Sequence, residues 1–398
     1  MKKLVLVIIP SMICGAVLLL SQCKTSSNKL GGGGLVEIDV SQKYPLKELF
    51  IQDIAKVEYI PLETNRNTLM RSTATIVHVS DDYIIASNTT DGDVFVFDGN
   101  GKSKFSFNRK GPSGVMEYRQ IVGIAFDEKA KEVFISDNFS RKIFVYAENG
   151  EFKRGLAYPI SDLILRSVFN FDDETLLVYD EFGVSAQNKY SNKPYLFMSK
   201  KDGSIVDTLN FYLPERVSNR VYREVVVDGK NAMQPFTFVL SNNRSYGKNF
   251  LIADWSSDTI YKLTIQKELQ PVIVRKPSVQ KTEPKIIISN DLVTDKFILL
   301  DKSVLDVEMA IKERTYPKQA LMYNFETGEI NEYRLINKDG YSNNMIVSSI
   351  TPENTGVGLL DVSRVFEADE AGRIKGELKE LLKSLDEEDN PILMKIKF

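Results

Sequence analysis

The stretch DVFVFDGNGKSKFSF (residues 93–107) joins two alternating apolar runs through a polar turn. Period-two alternation marks a strand with one face buried, and an Asn-Gly pair between two such runs marks a tight hairpin, which needs positive φ. The phrase returns as KIFVYAENGEFKRGL (142–156) and YLFMSKKDGSIVDTL (195–209). It recurs more faintly as TIYKLTIQKELQPVIV (259–274) and ALMYNFETGEINEYRL (320–335). Turn glycines at Gly101, Gly150, Gly203 and Gly328 set a spacing of roughly fifty to sixty residues per copy, which suits a four-stranded propeller blade and is too long for most helical repeats.

Working outward, the second copy reads as four strands: IVGIAFD (121–127), EVFISD (132–137), KIFVYA and FKRGLAY. The first copy reads likewise as ATIVHV, YIIASN, DVFVFD and KSKFSF. NFDDETLLVYD (170–180) leads into the third copy, FLIADW (250–255) pairs with TIYKLTI, and KFILLD (296–301) pairs with ALMYNF across an insertion at 302–318. Five copies leave two ends unpaired. PILMKIKF (391–398) places Ile392, Met394, Ile396 and Phe398 on one face with Lys395 and Lys397 on the other, an edge or closing strand, and VEYIPLE (57–63) precedes the first copy. Pairing the two ends closes a ring and removes exposed sheet edges. The expected fold is therefore all-β, a six-bladed β-propeller closed by its N- and C-terminal strands, with GVGLLDV (356–362) as the middle of the sixth blade. One short C-terminal helix is expected over 373–386, where Ile374, Leu378, Leu381, Leu382 and Leu385 fall at helical spacing before Asn390-Pro391, packed against the outside of that blade.

Residues 1–23 read as a signal peptide, with Lys2 and Lys3 ahead of an apolar run that ends in Leu20-Ser21-Gln22-Cys23. That ending resembles the lipobox at which bacterial lipoproteins are cleaved and acylated, which makes Cys23 the lipidation site. An uncleaved membrane anchor is the other reading, since about seventeen apolar residues approach the length of a span. Residues 24–34 are small, polar and glycine-rich, a flexible tether, and 35–398 form the propeller. Cys14 and Cys23 are the only cysteines, so the mature body has neither a disulfide nor a reactive thiol. The formal net charge of −3 argues against a nucleic-acid partner, which would need a basic face.

The order of these features resembles the six-bladed propeller lipoproteins of Bacteroidota, related in pattern to NHL-repeat propellers. The matching stretches are VEYIPLET (57–64), VFVFDGNGK (94–102), RKGPSGVMEY (109–118), VFISDNFSRKIFVY (133–146), SDTIYKL (257–263) and DEEDNPILMKIKF (386–398). This chain departs from the family pattern by inserting Val115 and Met116 between Gly114 and Glu117. The resemblance implies the fold and an envelope location but no activity. Lys24-Thr25-Ser26-Ser27 lacks the acidic residues that often follow the cysteine of surface-exported lipoproteins in this group, so the expected location is the outer membrane, facing the periplasm.

If each innermost strand starts at the upper face, the loops between second and third strands and the loops between blades both emerge there. The glycine hairpins lie below and are structural. The upper face then collects Asn88, Asp91, Asp137, Asn138, Arg141, Asp180, Asp254, Trp255, Asp258 and Asp301, with Arg109, Glu117, Tyr118 and Arg119 from an interblade loop. From these, Arg109, Glu117, Tyr118, Asp137, Asn138, Arg141, Asp180, Asp254 and Trp255 are the candidate ligand-binding residues, for an envelope glycan, peptide or protein. Strand-end Asp and Asn are also ordinary turn formers. His78, the only histidine, lies in a strand and rules out a His-rich zinc site, and no nucleophile-elbow, Walker or dinucleotide motif occurs. No cofactor is expected. Asp137, Asp180, Asp254 and Asp301 could converge on a Ca²⁺, the basis of an alternative reading as a metal-assisted hydrolase or lyase. The insertions 212–235 and 302–318 read as interblade excursions.

Overall fold

A computed structural model describes residues 34–181, 190–218, 220–227, 229–238, 243–246, 248–313, 317–341 and 355–398. Six sheets stand as the blades of a propeller. Blade one comprises Thr75–Val79, Tyr83–Asn88, Asp93–Asp98 and Ser103–Asn108. Blade two comprises Gly123–Asp127, Glu132–Asp137, Lys142–Ala147 and Phe152–Ala157. Blade three comprises Leu165–Asn170, Thr175–Asp180, Tyr195–Ser199 and Ile205–Thr208. Blade four is built from Asn243–Tyr246, Asn249–Ile252, Thr259–Leu263 and Leu269–Lys276, and blade five from Ile286–Val293, Phe297–Val304, Lys318–Asn324 and Ile330–Ile336. Within blades one to five consecutive strands pair antiparallel, and the first strands of blades one to three, and of blades four and five, lie side by side.

Among the described residues the apolar core is divided. Six apolar clusters fill the six joints between neighbouring blades, which explains why the second and third strands are buried on both faces. Along the third strand of blade one, Val94 and Val96 enter the joint with blade two, while Phe95 and Phe97 enter the joint with blade six. That last joint, where Ile60, Leu62, Val357 and Leu393 meet Val79, Ile84 and Ala86, closes the ring.

Closure uses both ends of the chain, as expected: Lys56–Pro61 pairs antiparallel with Ile392–Lys397 in the register Val57↔Ile396 and Tyr59↔Met394. Two details differ. Ile392–Lys397 is the middle of the three described strands of blade six, flanked by Thr355–Leu360, so it is an interior strand and the N-terminal strand is the edge. Lys395 is accordingly buried, its Nζ donating to Asp81 Oδ1 at 3.1 Å. The expected helix is confined to Gly376–Leu382 and is preceded by a second one, Val362–Glu370, whose N-cap Asp361 accepts from the Arg364 N–H. Val365, Leu378 and Leu382 from these helices fill the joint between blades five and six.

The N-terminal segment does more than close the ring. Val36–Asp39 pairs parallel with the outer strand of blade four (Val36↔Ile273), and Leu46–Phe50 pairs parallel with the outer strand of blade five (Leu46↔Glu332). The chain thus runs as a belt along three successive blade edges before blade one begins. The insertions also resolve into elements: 212–235 contains most of a hairpin, Arg220–Val227 with Lys230–Thr237, and 302–318 contains a helix, Val307–Glu313.

His78 is packed edge-on against Phe126 with ring centroids 5.4 Å apart, and its Nε2 lies 2.7 Å from Glu128 Oε2. Burial lowers its pKa below the ordinary 6.5 by more than the carboxylate raises it. The unfolded chain therefore takes up a proton that the folded one refuses just below about pH 6.5, and stability is lost as the pH is lowered through that window. His78→Gln should remove this component, flattening the slope of unfolding free energy below pH 6.5 by at most about 1.4 kcal/mol per pH unit. Urea titrations across pH 5–7.5 measure it, and an unchanged slope would mean that His78 does not carry the dependence.

Candidate functional site

The upper-face loops are held by one recurring device. The side chain ending the second strand of a blade accepts a backbone N–H from the loop that enters that blade: Asn88 Oδ1 from Arg71 (3.2 Å), Asp137 Oδ2 from Arg119 (2.8 Å) and Asp180 Oδ1 from Ile164 (3.2 Å). A buried carboxylate satisfied by N–H donors and hydroxyls is a stable arrangement.

Between blades one and two this device shapes a groove of about 410 Å³. Asp137, fully buried, sets both walls. Its Oδ2 holds the Arg119 N–H and the Ser140 hydroxyl (2.7 Å), and its Oδ1 holds the Phe139 N–H (2.9 Å). Arg119, Gln120 and Lys110 come from the interblade loop, Thr89 and Thr90 from the blade-one loop, and Phe139 from the blade-two loop. Phe139 is 69% exposed although its neighbours in the loop are polar. Lys110 Nζ donates to Thr90 O at 2.9 Å and Arg119 Nη2 to Pro112 O at 3.3 Å. Those acceptors are neutral, so the bonds fix the two cations without cancelling their charge. Asp91 nearby is paired with Arg71 at 2.5 Å.

The interblade loop is riveted from beneath. The Tyr118 hydroxyl donates to Gly92 O at 2.6 Å and accepts the Arg109 N–H at 3.0 Å, and burial drives its pKa far up, so it remains a neutral phenol. Arg109 Nε donates to Gly150 O of blade two (3.0 Å), Glu117 Oε2 accepts the Ser113 N–H (3.2 Å), and the Tyr146 hydroxyl donates to Met116 O (2.8 Å). The inserted Val115 and Met116 are exposed on this loop.

The structure thus brings Arg109, Glu117, Tyr118 and Asp137 together around one groove, as its supports. The other candidates lie elsewhere. Asn138 Oδ1 accepts from the Tyr158 hydroxyl and the Leu165 N–H, and Arg141 Nη1 donates to Leu163 O, both at the joint of blades two and three. Asp254 accepts from the Ser256 N–H and the Tyr195 hydroxyl, while Trp255 is buried in an apolar cluster with Phe238, Val279 and Leu305. Asp301 lies within a strand, opposite Ser289 and Ala320 and ion-paired to Lys318, rather than in a loop. Among the described residues no three His, Cys, Asp or Glu side chains gather as a metal site. Cys23 and the targeting segment lie outside the described residues. The wall residues Lys110, Phe139, Thr89, Thr90 and Gln120 were not singled out by sequence. Phe139, an aromatic inside the polar loop DNFSRK, was the available signal.

The molecule is thus a closed six-bladed β-propeller carrying a preformed upper-face groove. Residues 35–397 match the family described as "Domain of unknown function (DUF4934)", and the chain belongs to it, a family of six-bladed propellers of Bacteroidota. Among curated proteins nothing matches. The crystal structure of a protein described as exported, from Bacteroides fragilis, superposes with a TM-score of 0.64 at 16% identity, covering 92% of this chain and 99% of that one. A DUF4221 family member from Bacteroides vulgatus gives a TM-score of 0.48 at 10% identity over 86% and 96% of the two chains. Virginiamycin B lyase from Staphylococcus aureus gives 0.41 at 11% over 86% and 99%.

Proposed function

We propose that this chain is a lipid-anchored binding module of the cell envelope, held through Cys23 at the outer membrane facing the periplasm, whose groove between blades one and two takes an acidic envelope glycan. The carrying observation is the groove itself: two cations with neutral partners, three hydroxyl or amide side chains and one exposed ring on a rigid frame. Carboxylate or sulfate groups suit Lys110 and Arg119, sugar hydroxyls suit Thr89, Thr90 and Gln120, and the apolar face of a pyranose suits Phe139. The exported neighbour agrees with an envelope location, and among the described residues no helix is long and apolar enough to cross a membrane. A hydrolase or lyase reading built on a shared Ca²⁺ would need converging carboxylates, which the described residues do not provide.

The test is calorimetric titration of residues 35–398 with acidic and neutral polysaccharides of matched length. Acidic chains should bind, more weakly at high salt. Lys110→Glu with Arg119→Glu should weaken binding at least a hundredfold, since about 1.5–3 kcal/mol attaches to each charged hydrogen bond. Equal binding of neutral chains, or an unaffected double variant, would defeat the reading. Labelling with a radioactive fatty acid tests the anchor separately: the wild-type chain should take up label and Cys23→Ser should not, and label in both would defeat the assignment.

A further inference from the structure

We propose that the acidic glycan of the groove is the headgroup of a glycolipid, whose acyl chains lie on an apolar rim formed by Val115, Met116 and Phe139; the inference rests on the groove reading given above. Val115 is 67% exposed, Met116 56% and Phe139 69%. Single exposed apolar side chains are ordinary on a protein surface, but these three belong to two loops in mutual contact. A Cβ on Gly114, the residue before Val115, would fall 3.1 Å from Oγ of Ser140, the residue after Phe139. Lys142 Nζ, from the strand that follows, donates to Gly114 O at 3.0 Å. The rim thus borders the groove that Phe139 lines.

The loop that carries Val115 and Met116 is fastened at its base and near its tip. Lys110 and Tyr118 form an isolated bridge, and the Gly111 N–H donates to Tyr118 O at 3.0 Å. Within the loop the Val115 N–H donates to Ser113 Oγ at 3.4 Å, and Met116 O accepts the Tyr146 hydroxyl at 2.8 Å. A loose loop can tuck apolar side chains away from water; this one holds them out. An apolar surface already fixed in place loses little freedom when a ligand covers it, and the unbranched thioether of methionine adapts to irregular apolar partners.

Charge selects the kind of lipid. Lys110 and Arg119, the two cations of the groove, flank this same loop, while its one carboxylate, Glu117, accepts the Ser113 N–H. Cations beside an exposed apolar tip match an amphiphile with an anionic head and an apolar tail. A free acidic polysaccharide would satisfy Lys110 and Arg119 but leave Val115 and Met116 in water. An uncharged lipid would cover the rim and leave the cations without a counter-charge. An acidic sugar joined to acyl chains uses both.

Three probes test this by calorimetric titration into residues 35–398, each below its micelle-forming concentration: glucuronosyl dihexanoylglycerol, its deacylated form glucuronosylglycerol, and glucosyl dihexanoylglycerol. The acidic lipid should bind at least about tenfold more tightly than its deacylated form, since each methylene fully removed from water is worth about fourfold and the rim covers only part of the chains. It should also bind at least about tenfold more tightly than the neutral lipid, which lacks the charged hydrogen bonds. Val115→Ser with Met116→Ser should bring the acidic lipid down to the affinity of glucuronosylglycerol and leave the affinity for glucuronosylglycerol unchanged. Both positions are exposed, so an unaltered melting temperature is expected of that variant. Equal affinity for the acylated and deacylated acidic probes, or a double variant that still favours the lipid, overturns the inference and leaves the groove reading standing. Equal binding of the acidic and neutral lipids would make the rim a general apolar surface and overturn it as well. No binding of either acidic probe also overturns it, and the titration with acidic polysaccharides then shows whether the groove reading falls too.

Discussion

Lys200→Met should be among the most destabilising single changes in this protein. Lys200 Nζ lies 2.6 Å from Asp127 Oδ2, both side chains are 6% exposed, and the ammonium also donates to Asp172 O. The lysine comes from the third turn of blade three and Asp127 from the end of the first strand of blade two, so the pair fastens two blades. Methionine fills the space yet leaves a buried carboxylate without its cation, for a cost of about 3–5 kcal/mol. With an unfolding entropy of about 2.1 cal/mol/K per residue over a body of roughly 360 residues, the melting temperature should drop by about 4–7 °C. Adding Asp127→Asn removes the stranded charge and should return at least half of that loss. Calorimetry of the single and double variants measures both, and a double variant no better than the single would show that the charge was not the cause.

The second large effect separates two roles of the repeated turn glycine. Gly150 and Gly328 both have positive φ, +81° and +72°. A Cβ on Gly328 meets nothing within 4 Å, whereas a Cβ on Gly150 falls 2.5 Å from Phe107 Cβ at the end of blade one. Gly328→Ala should therefore cost only the backbone strain, about 1–2 kcal/mol. Gly150→Ala should cost a further 1–3 kcal/mol or so, because the joint must open. Equal losses in the two variants would mean that the joint yields freely. The same crowding occurs at Gly101 against Pro61 O (2.3 Å) and at Gly203 against Ala157 O (2.9 Å), so the hairpin turn of one blade seats on the outer strand of the blade before it.

Sequence revealed the repeat because period-two burial and turn glycines are local properties, and it revealed the closure because two orphan strands had to pair. It missed the belt: VEID (36–39) is too short and too polar to announce that it will lie parallel to a strand more than two hundred residues away. The site was half legible. Asp137, Tyr118, Arg109 and Glu117 do converge, yet a strand-end Asp looks the same in sequence whether its oxygens face a ligand or, as here, hold the loop's own N–H groups. Trp255 was misplaced on an open face because no local pattern tells that the hairpin 220–237 and the helix Val307–Glu313 will be built around it.

The belt also sets a timetable. Every strand before residue 62 finds its partner in the last third of the chain, at 269–276, 330–336 and 392–397. Such distant pairings form slowly. A chain delivered from its N-terminus would hold Val36–Asp39, Leu46–Phe50 and Lys56–Pro61 without strand partners until 269–276, 330–336 and 392–397 arrive in turn, so the belt is fastened blade by blade and the ring locks only with the last strand.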